Sequence, residues 1–118
     1  MDYNTLALAY LGDSVYELYI REYLINKGIV KVKELQKNAT NYVSAKNQVK
    51  ILEQIKNDLK EEEIEIVKKG RNAKSHKAPK NTDILTYKHA TGFETLIGYL
   101  YLNDKQRLNE IMKLILED

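Results

Sequence analysis

The sequence is that of an all-α, single-domain protein, and three observations predict it. Apolar residues recur at spacings of three and four instead of alternating. One proline, Pro79, and five glycines leave long stretches uninterrupted. With 43% apolar residues, 118 residues suffice to close one modest core without disulfide or metal staples. The whole chain, 1–118, is expected to form that one domain.

The first helix is expected to begin at Asn4 or Thr5, both suited to capping, and to run to about Lys27, where Gly28 supplies a left-handed stop. A short helix around Lys33 to Asn38 follows. Residues 42–57 set Val43, Val49, Leu52 and Ile55 among polar residues at helical period, with Asn57 and Asp58 ending the run. Asp58 and Glu61 have the spacing of a capping box. The helix they open carries acids at 61, 62, 63 and 65 and finishes with Lys68 and Lys69 before Gly70, charges that complement its macrodipole. Residues 71–82, RNAKSHKAPKNT, lack an apolar stripe and are expected to form a surface loop. A long apolar helix then spans about Asp83 to Leu102, and Asn103 with Gln106 caps a last one through Ile111, Leu114 and Ile115.

Composition excludes several classes of chemistry. There is no cysteine, so disulfides, Cys-ligated zinc and thiol nucleophiles are ruled out, and a reducing cytoplasm is the expected location. The N-terminal stretch MDYNTLALAYLGDSV has no basic leader and meets a charge at Asp13, unlike a secretory signal or a membrane span, so no membrane partner is expected. The formal charge of +2 is uninformative until it is divided. Residues 68–80 hold Lys68, Lys69, Arg71, Lys74, Lys77 and Lys80 and no acid, which leaves 13 basic against 17 acidic residues, or −4, elsewhere. Such a patch suits a phosphate backbone, with Asn72, Ser75, Asn81 and Thr82 as neutral donors. A solvated lysine-rich loop is the bland alternative. Of the nine tyrosines, Tyr10, Tyr16, Tyr19, Tyr23, Tyr99 and Tyr101 lie in apolar helices and suit core or subunit interface better than base stacking.

Carboxylates appear where they are costly. In LALAYLGDSVYELYI, residues 6–20, the acids are Asp13 and Glu17, four apart on one face of a helix apolar nearly all round and therefore expected to be buried. The second very apolar helix, 85–102, carries Glu94 alone. Burying an isolated carboxylate costs several kcal/mol, about 2 or more, unless a cation, hydrogen bonds or a raised pKa relieves it. Two such acids on two central helices suggest a shared cation. With His76 and His89 remote from any paired-ligand spacing, hard oxygen donors favour Mg²⁺ or Mn²⁺, ions suited to phosphate chemistry. Alternatively, Asp13 caps a break at Gly12 and Glu17 pairs with Arg21 on a wet surface.

LALAYLGDSVYELYIREYL resembles the signature helix of the ribonuclease III catalytic domain, with its Leu-Gly-Asp step, and ATGFETLIGYLYL resembles that family's second catalytic helix, with Glu before Leu-Ile-Gly. GRNAKS and PKNTD further resemble the compact branch called Mini-ribonuclease III, and the likeness spans essentially the whole chain. The resemblance implies a ribonuclease III-like helical endonuclease acting as a two-fold homodimer on double-stranded RNA with a divalent metal, leaving 5′ phosphates and 3′ hydroxyls. It implies that Asp13 and Glu94 are the metal-binding catalytic carboxylates and that Tyr10 belongs to the subunit interface. Larger members have acids at the positions of Leu6, Ala9 and Thr91; the compact branch shares the loss at Ala9 and Thr91, and fewer fixed carboxylates imply weaker metal binding. Glu17 and Thr91 are expected beside the ligands and not among them. Larger members also carry a separate double-stranded RNA-binding domain, for which no sequence is evident here. RNA grip is then expected from Lys69, Arg71, Asn72, Lys74, Lys77, Lys80 and Asn81, reading A-form phosphates. For the compact branch the implied task is 23S ribosomal RNA maturation, with a ribosomal protein as a further partner. The rivals are a noncatalytic RNA-binding dimer and a helical protein-interaction module.

Overall fold

The computed structural model describes residues 3–74 and 78–117, and among them it is all helical. Helix α1 spans Thr5–Asn26, α2 Val32–Val43, α3 Ala45–Ile55, α4 Glu61–Asn72, α5 Ile84–Asn103 and α6 Lys105–Leu116, with one 3₁₀ turn, Lys56–Asp58, after α3. α5 is the central rod, packed against α1, α3, α4 and α6. Tyr16, Ile20, Phe93, Leu96, Ile97, Leu108 and Ile111 are fully buried around it. The Tyr16 ring meets Phe93 edge-on at 5.0 Å, and its hydroxyl donates to the Tyr42 carbonyl at 3.1 Å.

The ends of α1 follow the sequence. The Asn4 side chain accepts from the Ala7 amide at 3.0 Å, and Gly28 ends the helix at φ +96. Other boundaries differ, for local reasons. α2 is twice the expected length because Leu35, Ala39, Tyr42 and Val43 continue one helical face. α3 begins at 45 and not 42, because Ser44 adopts an extended conformation (ψ 150) and caps it, accepting from the Asn47 amide at 3.3 Å. The expected Asp58 and Glu61 capping box moves by two residues. Asp58 closes the 3₁₀ turn, and Glu63 instead accepts from the Lys60 amide at 2.8 Å. Glu63 also takes Arg107 of α6 at 2.8 Å, and Arg107 reaches the Asp58 carbonyl at 2.8 Å, so a nearly buried ion pair ties α4 to α6. α6 is capped by Asp104, which accepts from Arg107 at 3.1 Å; Asn103 is the last residue of α5 and donates back to Tyr99.

α4 runs through Gly70 to Asn72 instead of stopping before it. Gly70 is there for close approach: a Cβ would overlap the Thr95 side chain and come within 2.8 Å of the Gly92 Cα. Lys69, Arg71 and Asn72 therefore sit on the last turn of a helix clamped to α5, and not in a loop. α1 is also not buried all round. Leu6, Tyr10, Leu18 and Ile25 form an exposed apolar stripe along it, Tyr10 being 83% exposed. No helix among the described residues is long and apolar enough to cross a membrane.

Candidate active site

The close approach of α1 and α5 builds the site. A Cβ on Gly12 would overlap the Glu94 carbonyl oxygen and stand 2.8 Å from the Gly98 amide nitrogen, while one on Gly98 would overlap the Leu8 carbonyl. Only glycine at both positions lets the two backbones touch. Asp13 follows Gly12 directly and Glu94 is one turn before Gly98, so the contact that needs the glycines also delivers the two carboxylates to each other.

Asp13 is exposed and Glu94 half-buried, and the Asp13 carboxylate lies close enough to act on the charge of Glu94. Burial of Glu94, with the Asp13 carboxylate beside it, pushes its pKa up from an ordinary 4.5 to about 8. Without a cation, Glu94 therefore keeps its proton near neutral pH. Gln48 of α3 works in the opposite direction: its Nε2 donates to Glu94 Oε2 at 3.3 Å and to the Val43 carbonyl at 3.1 Å. Gln48 is 1% exposed, and its Oε1 is buried with no hydrogen-bond donor in reach among the described residues. Such an orphan acceptor costs about 1–3 kcal/mol.

The donor set fits a hard divalent cation. No group of three or more His, Cys, Asp or Glu side chains able to hold a metal occurs among the described residues, so the protein offers two carboxylates. Mg²⁺ is commonly held by one or two carboxylates with water and substrate phosphate completing its shell. A cation there would take the place of the proton on Glu94.

The raised pKa has a consequence for stability. A carboxyl whose pKa rises on folding contributes stability that is complete below its unfolded value, 4.5, and is lost as pH climbs through its folded value, about 8. In chelator, thermal melts are expected to show a Tm falling by several degrees between about pH 5 and pH 9. Glu94→Gln, permanently neutral, should flatten that slope. Equal slopes in the two proteins would show that Glu94 is not raised.

The other sequence-derived positions separate. Glu17 pairs with Arg21 at 3.3 Å, lining a groove between α1 and α2 with Leu24, Ile25, Leu35 and Val43. Thr91 is buried one turn before Glu94, and its hydroxyl is committed to the Tyr87 carbonyl at 2.9 Å. Lys69, Asn72, Lys74, Lys80 and Asn81 are exposed, and Arg71 is half-buried with its Nε on Asn72. Asn81 has φ +74 in a turn closed by the Thr82 amide on the Pro79 carbonyl at 3.1 Å, a place that suits Asn. Lys77, Ser75 and His76 lie outside the described residues. The sequence reading missed Gln48, and it missed a second basic segment. Residues 31–50 carry Lys31, Lys33, Lys37, Lys46 and Lys50, all exposed, against Glu34 alone. The rest of the chain is therefore not uniformly acidic, and the α2–α3 pair that brings Gln48 to Glu94 is itself basic.

The family model described as the Ribonuclease III domain matches residues 6–105, which takes in both carboxylates, both glycines and Gln48. The chain belongs to the ribonuclease III family. Among curated relatives of this ribonuclease III chain, Mini-ribonuclease 3 of Brevibacillus brevis is 52% identical over 111 residues, 93% of this chain and 83% of the relative. Mini-ribonuclease 3 of Enterococcus faecalis is 51% identical over 112 residues, covering 92% and 85%. A crystal structure of a protein from Fusobacterium nucleatum superposes with a TM-score of 0.81 at 40% identity, covering 97% of this chain and 89% of that one. The sequence-based resemblance to ribonuclease III is thereby borne out, and with it the helical fold and an RNA-cleaving endoribonuclease activity.

Proposed function

We propose that this ribonuclease III family member cleaves double-stranded RNA with a divalent cation, Mg²⁺ or Mn²⁺, held by Asp13 and Glu94, and that its substrate is a 23S ribosomal RNA precursor. The observation that carries the metal assignment is the pairing of the Asp13 and Glu94 carboxylates by the α1–α5 contact at Gly12 and Gly98, with Glu94 half-buried and its ionised form disfavoured until a cation is present. The substrate rests on the likeness to Mini-ribonuclease 3 relatives.

A divalent cation there supplies charge to stabilise the phosphoryl oxygens and acidifies a water for in-line attack. The protein's own groups do the rest. Asp13, exposed, presents its oxygens outward to the incoming backbone; Glu94, half-buried, anchors the inner edge. Both carboxylates sit on helices locked by glycine contacts, so their separation does not relax when RNA binds. Lys69, Arg71, Asn72, Lys74, Lys77, Lys80 and Asn81 hold phosphates, the first three on a helix end pinned to α5 beside Gly92. The exposed stripe of Leu6, Tyr10, Leu18 and Ile25 is the surface through which a homodimer would form, which would present two sites and two basic arms to one duplex. A ribosomal protein bound to that precursor would be a further partner.

Incubating the protein with a perfect RNA duplex, with and without Mg²⁺, and scoring retention and cleavage together tests this reading. Retention in both conditions and product only with Mg²⁺ is expected. Retention without any metal-dependent product would make the protein a noncatalytic binder, and neither would leave an interaction module. In the same assay, neutralising Arg71, Lys74 and Lys80 together should weaken retention and lower the magnitude of its log-salt slope by about 2–3; an unchanged slope would return these residues to the solvated surface.

A further inference from the structure

Gln48 is out of place for a packing residue. It is 1% exposed, beside the core residues Ile51 and Leu52 on α3, where an apolar side chain would fill the same volume without any polar group to satisfy. Its amide has one sensible orientation, because the Glu94 carboxylate and the Val43 carbonyl, both acceptors, face one end of it at 3.3 and 3.1 Å. That orientation leaves Oε1 buried without a donor. The two heavy atoms of a carboxamide end are about 2.3 Å apart. Oε1 therefore lies no more than about 5.6 Å from Glu94 Oε2.

We propose that Gln48 is a positioning residue of the cleavage site: its Nε2 fixes the inner oxygen of Glu94, and its buried Oε1 accepts from a water of the divalent cation, supplying neutral oxygen capacity to a site with only two carboxylates. The inference rests on the assignment of the cation to Asp13 and Glu94. A neutral amide suits this position. It can donate to Glu94 at one end and accept at the other. Gln48 also makes the α2–α3 pair sense the site, since the same Nε2 is bonded to the last residue of α2.

The test uses the full chain without RNA and reads Mn²⁺ binding by the loss of the free-ion electron paramagnetic resonance signal, for wild type, Gln48→Met, Gln48→Glu and Asp13→Asn. Gln48→Met keeps length and volume and removes both polar ends. It is expected to weaken Mn²⁺ binding about 10-fold and to raise the Mg²⁺ concentration for half-maximal single-turnover cleavage by a similar factor, while melting temperature and duplex retention in chelator stay near wild type. Gln48→Glu, which keeps the shape and restores oxygen donors, is expected to recover Mn²⁺ binding at pH 8. Should the Met variant fail to fold, Gln48→Leu takes its place, with Mn²⁺ binding about 10-fold weaker than that of Gln48→Glu expected and equal binding by the two overturning the role of Gln48. Wild-type Mn²⁺ affinity in Gln48→Met together with weakened affinity in Asp13→Asn overturns the role of Gln48 and leaves the metal assignment standing. Wild-type affinity in Asp13→Asn as well overturns both.

Discussion

Gly12→Ala is expected to destabilise the protein by about 2 kcal/mol or more and to lower cleavage about 100-fold in whatever fraction remains folded. Two effects compete. Alanine in a helix interior is worth up to about 1 kcal/mol over glycine. Against that, the new methyl group overlaps the Glu94 carbonyl and crowds the Gly98 amide, all backbone atoms that no rotamer change can move aside. Overpacking of this kind costs about 1–3 kcal/mol where neighbours can yield, and here α1 and α5 must separate along their contact. Because Asp13 is the next residue and Glu94 is the one overlapped, the separation falls on the pair proposed to hold the cation. A thermal melt should show a loss on the order of 10 °C. Gly28→Ala is the informative comparison. It meets nothing within 4 Å and bears only the strain of φ +96, so it should lower stability modestly and leave cleavage unaltered. Equal melting temperatures for wild type and Gly12→Ala would mean that the helices do not touch as described.

How much of this was legible in the sequence depended on whether the signal was local. Asp13 and Glu94 stood out because each is an ionisable side chain in an otherwise apolar helix; the expected burial holds in part for Glu94, whereas Asp13 is exposed at the edge of the contact. The ends of α1 were legible because Asn4 and Gly28 act within a turn of themselves. The break between α2 and α3 was not, since its cause is one serine, Ser44, in a polar stretch that could equally have continued as helix. Gly70 looked like a stop and is a contact: its meaning lies in Thr95, twenty-five residues away. Gln48 had no sequence signal at all. On an amphipathic helix a glutamine reads as surface, and only tertiary packing shows that it faces a carboxylate. The lysines of α2 and α3 were visible in principle, but subtracting one basic segment from the total charge hid the other. The exposure of Leu6, Leu18 and Ile25 was not legible, because a helix cannot indicate whether its apolar face is covered by its own chain or by another; for Tyr10 alone the resemblance implies a subunit interface.

Asp13→Asn and Glu94→Gln should each reduce cleavage about 1,000-fold or more while sparing the fold. Each substitution keeps the size of the side chain and removes one of the two carboxylates that, among the described residues, would hold the proposed cation. Neither should unfold the protein. Glu94→Gln even relieves the close approach of two acids, so its melting temperature in chelator at pH 8 should equal or exceed that of wild type. Loss of cleavage together with unchanged or higher stability therefore separates a catalytic role from a structural one. The most direct measurement is single-turnover cleavage of a perfect RNA duplex by excess protein in Mg²⁺, comparing wild type with Glu94→Gln at matched duplex occupancy. The expected result is product from wild type and essentially none from the variant; cleavage by Glu94→Gln at the wild-type rate would contradict the assignment of RNA hydrolysis to the Asp13–Glu94 pair.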